Sequence, residues 1–144
     1  DAEWWVNNCA EKEKEKQRTS YELGIVIKPN KEVVGGAGIS NIDYFQGTAD
    51  LGYWIGEDYW RKRYVSEAVI GLIEFAFNKL KLRRLRIPAF AENEGSNGLA
   101  KKLGFQFEGT LRKACRAKST GKIHDENIYS MLKEEWKNVR KRLR

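Results

Sequence analysis

Histidine is nearly missing from these 144 residues: His124 stands alone, and there are only two cysteines, Cys9 and Cys115. A structural or catalytic zinc site draws on three or four His, Cys or carboxylate ligands, so metal chemistry is not expected. A Ser-His-Asp or Cys-His nucleophile would have to be built on His124, and no G-x-S-x-G elbow is there to present a serine. The two cysteines lie far apart and form no C-x-x-C pair. They are too few to staple a secreted domain, so both are expected as reduced thiols in a cytoplasmic protein. No apolar run approaches the ~18 to 20 residues of a membrane span, and no membrane partner is expected. The first residues, Asp1-Ala2-Glu3-Trp4, offer neither a starting Met nor a basic-then-apolar signal region. The natural first residues are therefore expected to be missing.

What the chain does have is apolar and aromatic weight. Hydrophobic residues make up 41% and aromatics 12%, with five Trp, six Tyr and six Phe, which is enough for a real core. The length fits one domain, 1–144, with no room for two ordinary ones. The charge sum is 27 − 20 = +7, which makes an anionic partner the first suspicion.

The patterning changes period along the chain. Residues Ala2 to about Arg18 are charged and helix-prone, with Glu11 to Lys16 alternating in sign, and an amphipathic helix is expected there. Strand periodicity follows in Tyr21–Ile27, in Val33–Ile39 after the Pro29-Asn30-Lys31 turn, and in Ala49–Gly56. Val65, Ala68, Val69, Leu72, Ile73, Ala76 and Leu80 then recur at helical spacing and mark the best helix of the chain. A strand over 83–89 alternates basic and apolar residues. A short helix from Ser96 to Lys102 closes on Gly104 as its C-terminal cap. Phe105-Gln106-Phe107 opens another strand, a polar loop surrounds 118–122, a last strand covers Ile128–Leu132, and the basic tail reads as a helix. The expected order is α-β-β-β-α-β-α-β-β-α, an α/β domain with a mixed sheet.

The junction between the third of these strands and the long helix carries chemistry. It reads Gly56-Glu57-Asp58-Tyr59-Trp60-Arg61-Lys62-Arg63-Tyr64-Val65-Ser66-Glu67. A helix N-terminus offers unpaired N–H groups and a partial positive charge, and here three consecutive basic side chains adjoin it. The combination suits a phosphate or pyrophosphate. The plainer alternative is a solvated basic loop.

The order of elements and the motifs together resemble the GNAT superfamily of acetyl-CoA-dependent N-acetyltransferases, in its RimJ/RimL-like branch. Leu51-Gly52-Tyr53-Trp54-Ile55-Gly56, then Tyr59-Trp60 and Ser66-Glu67-Ala68, look like the strand, pyrophosphate loop and helix of that branch. Asn93-Glu94-Gly95-Ser96 followed by Lys102-Leu103-Gly104-Phe105 matches its N-x-x-S and K-L-G-F motifs. The end, from His124-Asp125 through Ile128-Tyr129-Ser130 to Glu135-Trp136, is similar too. The resemblance implies a mostly antiparallel central sheet with splayed central strands, flanked by helices. Members usually begin with a further strand and helix, which this chain is expected to lack.

The resemblance also implies roles. Backbone at Trp54, Ile55 and Gly56 holds the pantetheine of acetyl-CoA. Amides from Arg61, Lys62, Arg63, Tyr64, Val65 and Ser66 hold the pyrophosphate. Asn93 bonds the pantetheine side, and an N–H near Ile55 meets the oxyanion. Asp50 stands where several members carry a catalytic glutamate and would take the amine proton, directly or through water. Ser96 would donate to the departing thiolate or, more simply, cap its helix. His124 and Asp125 fall on the acceptor side. Two departures stand out. The family loop Q/R-x-x-G-x-G/A falls on Trp60, Arg63 and Val65, so both glycine-type positions carry side chains. With φ < 0 those residues can still aim their amides at the ligand, whereas a demand for φ > 0 would weaken binding. Ala100 stands where many members place a thiolate-protonating tyrosine.

The branch acetylates protein α-amines, with polyamines, amino sugars and other small amines accepted by relatives. A +7 chain repels a polycation, so a protein N-terminus of the ribosomal-protein type is the first expectation and a small-molecule amine the second. The rivals are a non-catalytic relative that binds the cofactor without transferring acetyl, and an RNA-binding module. Lys79–Arg86, Arg112-Lys113 and the tail are basic, and Gly104-Phe105-Gln106-Phe107 faintly echoes an RNA-binding sheet, though Gln106 and Glu108 spoil that match. The same basic patches are compatible with a ribosome-docking enzyme.

Overall fold

Alternating apolar residues build the first layer of the computed structural model, which describes residues 2–6 (backbone), 18–27, 31–56, 59 and 63–143. The chain divides into two units, Asp1–Arg83 and Arg84–Arg144. In the first, β1 (Ala2–Val6), β2 (Tyr21–Ile27), β3 (Glu32–Asp43) and β4 (Thr48–Ile55) pair antiparallel in chain order. The register sets Leu23 beside Ala37 and Tyr53, and Tyr21 beside Ile39 and Leu51. Partners directly opposite share a face, so these rows form one apolar side of the sheet.

That side receives α1 (Tyr64–Glu74), which contacts all four strands. Val65, Ala68, Val69, Leu72 and Ile73 are its buried stripe, the helical spacing expected from sequence. The expected helix does not continue unchanged to Leu80. It widens into a π segment over Phe75–Lys79, closed by Leu80 N–H to Phe75 C=O at 3.1 Å, which keeps Ala76 and Phe77 buried.

The other side of this sheet carries the rows Gly24–Gly36–Trp54, Glu22–Gly38–Gly52 and Ser40–Asp50. Glycine at 36 leaves room for an indole: a Cβ there would lie 2.5 Å from Trp54 Nε1, and the side chain would have to shift. The indole of Trp54 therefore lies across the β3 backbone while remaining 63% exposed.

The second unit contains β5 (Arg84–Phe90), α2 (Glu94–Lys102), β6 (Gln106–Arg116), β7 (Ile123–Leu132) and α3 (Lys133–Leu143). Its strands run β5-β7-β6, all antiparallel. Leu85, Ile87 and Ala89 alternate inward along β5. Gly104 ends α2 at φ +88°, and a Cβ there would meet Val139 Cγ1 of α3 at 2.7 Å, so the expected glycine cap is also a packing contact. Glu135 reaches back from the first turn of α3 to the Leu132 N–H at 2.7 Å, half of a capping box.

The α/β class, the antiparallel pairing and the flanking helices agree with expectation. The beginning does not: Ala2–Val6 is a strand paired with β2 rather than part of a helix. The remainder of that expected helix, 7–17, lies outside the described residues. Trp4, Trp5 and Val6 are strand formers, and β2 supplies a ladder that a solitary amphipathic turn would lack. The strands β3, β6 and β7 also run longer than their apolar cores suggested.

Candidate functional site

At the end of β4, Ile55 stands opposite Gly35, and the Gly56 N–H donates to Val34 C=O at 2.9 Å. Gly56 C=O in turn accepts Tyr59 N–H at 2.9 Å. The chain is thus pinned to β3 at the point where it turns toward α1. Of the three expected pantetheine-facing residues, Gly56 has its N–H committed inward. Arg61 and Lys62, like Trp60, lie outside the described residues.

Arg63 is the N-cap of α1 and adopts the left-handed conformation, φ +65° and ψ +3°, with no side-chain cap bond. Of the two cases left open by the missing glycine, this is the one for which weaker ligand binding is expected. The position does take φ > 0, and an arginine adopts it. Val65 is the second helical residue and faces the core, so its branched side chain is turned away from the helix end. The ladder of α1 starts with Glu67 N–H to Arg63 C=O at 3.1 Å. The amides of Tyr64, Val65 and Ser66 precede it and have no acceptor within the helix. They present three N–H groups at the positive end of the helix dipole, directly after Arg63 in sequence.

Asp50 lies five positions before the end of β4, half-buried, on the same sheet face as Gly52 and Trp54. A bulge in β3 between Ser40 and Asp43 brings Asn41, at φ +51°, round to donate from Nδ2 to Asp50 Oδ2 at 3.0 Å. That bond ties the carboxylate to β3.

In the second unit, Asn93 is the N-cap of α2: its Oδ1 accepts Ser96 N–H at 3.0 Å. The capping serine considered from sequence is therefore corrected. Asn93 caps, and Ser96 is the third helical residue that it caps. Ala100 is fully buried, so the position of the family tyrosine holds a core methyl group. His124 Nδ1 lies 2.5 Å from Glu92 Oε2, and its ring stacks on Phe90 with centroids 4.5 Å apart. Asp125 accepts Lys113 N–H at 2.8 Å and, through its carbonyl, Ala91 N–H at 2.9 Å. It thereby secures the bulge of β6 between Leu111 and Cys115, where Lys113 has φ +49°. Cys115 donates from Sγ to Glu126 Oε2 at 2.6 Å, and that bond, with partial burial and the Glu126 charge, pushes its thiol pKa up.

Sequence reasoning passed over Asn97, which is only 8% exposed. A buried asparagine looks like any polar helical residue in a single sequence. The one available signal is its place directly after the N-x-x-S motif.

The description "Acetyltransferase (GNAT) domain" belongs to the family whose model matches residues 1–106. An uncharacterized N-acetyltransferase, p20, of Bacillus licheniformis is 39% identical over 114 residues, which are 79% of this chain and 63% of that protein. A ribosomal-protein-serine acetyltransferase of Escherichia coli is 31% identical over 116 residues, 81% of this chain and 63% of that one. Among solved structures, a GCN5-related N-acetyltransferase from Brucella melitensis matches with a TM-score of 0.78 at 26% identity, covering 88% of this chain and 57% of that one. A mutant of the spermidine N-acetyltransferase SpeG from Vibrio cholerae matches with a TM-score of 0.75, covering 85% of this chain and 71% of that one. At 18% identity that likeness is one of fold. The chain spans less than two thirds of the length of the first curated relatives it matches, 63% and 65%.

Proposed function

The chain belongs to the GNAT acetyltransferase family, and from that premise we propose that it transfers the acetyl group of acetyl-CoA to a primary amine. The observation that carries the reading is the start of α1. Arg63 caps α1 in the left-handed conformation, and the amides of Tyr64, Val65 and Ser66 precede the first ladder bond from Glu67 N–H. Three N–H donors without a partner in the helix, at the positive end of its dipole, suit a diphosphate, and Arg63, with Arg61 and Lys62 before it in sequence, adds charge. Arginine adopts φ > 0 here at a cost in backbone strain, and its charge offsets the weaker binding expected where the glycine is missing.

The chemistry forms a C–N bond between the amine nitrogen and the thioester carbonyl and breaks the C–S bond, releasing the CoA thiol. The amine must be neutral to attack, yet an α-amine of pKa ~8 is largely protonated near neutral pH. Asp50, on the sheet face shared with Trp54 and held by Asn41, is the proposed proton acceptor. Backbone at Trp54 and Ile55 is assigned to the pantetheine and the developing oxyanion. Asn93 is assigned to the pantetheine side, and Ser96 to the thiolate. His124 and Asp125 are assigned to the acceptor, with Glu92 and the β6 bulge fixing them in place.

The proposed acceptor is a protein N-terminal α-amine of the ribosomal-protein type. The Escherichia coli relative named for that activity supports it. The net charge of +7 tells against a free polyamine. Basic stretches such as Lys79–Arg86 would assist docking on ribosomal RNA, and a cytoplasmic setting goes with this partner. Among the described residues no helix is long and apolar enough to cross a membrane.

The test is thermal shift and calorimetry with acetyl-CoA, CoA and an RNA oligonucleotide, followed by thiol release with peptides bearing a free α-amine, spermidine and an amino sugar. CoA and its acetyl ester should raise the Tm, and the peptides should release thiol. Silence with both thioester and thiol would sink the reading, and stabilisation by RNA alone would favour the nucleic-acid class.

A further inference from the structure

The Asn97 carboxamide makes four hydrogen bonds from a nearly solvent-free position. Nδ2 donates to Phe90 C=O at 3.0 Å and to Asn93 C=O at 2.6 Å. Oδ1 accepts from Asn127 Nδ2 at 2.8 Å and from the Tyr129 hydroxyl at 2.7 Å. Two donors and two lone-pair sites are the whole capacity of the group, and all are in use. The amide cannot turn over, because its oxygen would then face two carbonyls. Asn127 is itself oriented from β6, since its Oδ1 accepts the Thr110 hydroxyl at 2.6 Å.

The two carbonyls that Asn97 holds bracket one turn, Phe90 to Asn93, already closed by Asn93 N–H to Phe90 C=O at 2.9 Å. The same turn ends in the Asn93 cap on Ser96. Burying a carboxamide is costly unless every partner is supplied, and an apolar side chain would fill a helix–sheet contact without that demand. The pattern is one of position rather than bulk.

We propose that Asn97 is a positioning residue for acetyl-CoA: by gripping both carbonyls of the 90–93 turn it fixes where Asn93 and Ser96 stand. The inference rests on the transferase reading given above, in which Asn93 takes the pantetheine side and the α1 amides take the diphosphate.

The experiment compares CoA with adenosine 3′,5′-bisphosphate, which lacks pantetheine and the phosphate next to it, by calorimetry on the full chain and on Asn97→Ala, Asn97→Asp and Tyr129→Phe. Asn97→Ala should fold, because Phe90 C=O keeps Asn93 N–H and Asn93 C=O keeps Asn97 N–H at 3.0 Å. Asn97→Asp retains the acceptor side and loses the grip on the turn. Both Asn97 variants should weaken CoA about tenfold while the bisphosphate changes less than about twofold. Tyr129→Phe removes one bond to Oδ1 without touching the turn, so it should lower Tm and leave both affinities in place. Equal weakening of both ligands, or unchanged CoA binding in a folded Asn97→Ala or Asn97→Asp, overturns the proposal. A parent chain that binds neither ligand overturns the transferase reading and this inference with it, whereas loss confined to the variants does not touch that reading.

Discussion

The Arg63 carbonyl accepts the first ladder bond of α1 from the Glu67 amide at 3.1 Å, while Arg63 itself stands at φ +65°. A side-chain-bearing residue in that region costs about 1–2 kcal/mol, because its Cβ crowds the following carbonyl oxygen. The strain sits at the N-cap of α1, and it separates two roles of one residue. Arg63→Gly should raise stability by about 0.5–1 kcal/mol in urea titrations, the strain relief being partly offset by glycine's greater freedom when unfolded. Arg63→Ala keeps the strain and should gain nothing. Both substitutions remove a positive charge, so both should weaken CoA several-fold at low ionic strength, with the difference fading as salt rises. Equal stability of the two variants would rule out the left-handed turn.

Asp50 offers a cleaner separation of binding from chemistry. Asp50→Asn preserves shape and removes the proton acceptor. The turnover rate should fall by about a hundredfold, the lower end of the range for positioned general bases, with CoA affinity unchanged. Asn41→Ala removes the Asn41 hydrogen bond to the carboxylate without removing the carboxylate itself, and should have a smaller effect on rate than Asp50→Asn. If Asp50→Asn keeps full turnover at every pH, the proton leaves by another route.

These two positions also mark how far the amino-acid pattern could be read. The buried strand β2 was legible residue for residue, because Leu23 and Ile25 alternate inward between clear turn signals. The long helix was legible at its start and less so at its end, since a π turn keeps the same apolar residues inward and leaves no separate trace in the spacing. The strand β6 was legible only at Phe105-Gln106-Phe107. From Thr110 to Arg116 nearly every residue is exposed, so no apolar alternation exists to reveal it. The beginning misled, because charge alternation at 11–16 was allowed to speak for Trp4, Trp5 and Val6. At the site, motif spacing located Asn93, Ser96 and the α1 junction. It could not yield the conformation of Arg63, where the usual glycine is replaced, or the Asn97 network, whose partners lie four to thirty-two residues away.

Glu108 carries a prediction about acid. Its Oε1 accepts the Ser130 hydroxyl and Arg84 Nη2, the latter at 3.1 Å, and these bonds, Ser130 first, hold its carboxyl below the ordinary value of 4.5. A carboxylate with a depressed pKa in the folded state stabilises above its unfolded value, and that stabilisation disappears as pH falls through the folded value. Glu108→Gln should therefore lower Tm at neutral pH, and its deficit relative to the parent should shrink steadily below about pH 4.5. The side chain is 46% exposed, so the effect is modest and should diminish with salt. A deficit independent of pH would show that Glu108 contributes through packing alone.

Cys115 carries the opposite sign. The bond to Glu126 stabilises the thiol, and burial together with the neighbouring carboxylate charge disfavours the thiolate, so its pKa lies above the ordinary 9.0. The folded state then holds the proton more tightly than the unfolded chain does. This contribution is fully present below the unfolded value and is lost as pH rises through the folded one. Because the thiolate is the reacting species, alkylation of Cys115 by iodoacetamide at mildly alkaline pH should be slower than for a small-molecule thiol. Glu126→Gln removes the charge and the ionic acceptor. The alkylation rate should rise, and its pH midpoint should fall toward 9.0, as followed by mass spectrometry of the peptide containing Cys115. If Glu126→Gln left both rate and midpoint unchanged, burial would be the cause of the shielding, and the β6–β7 hydrogen bond would have no part in it.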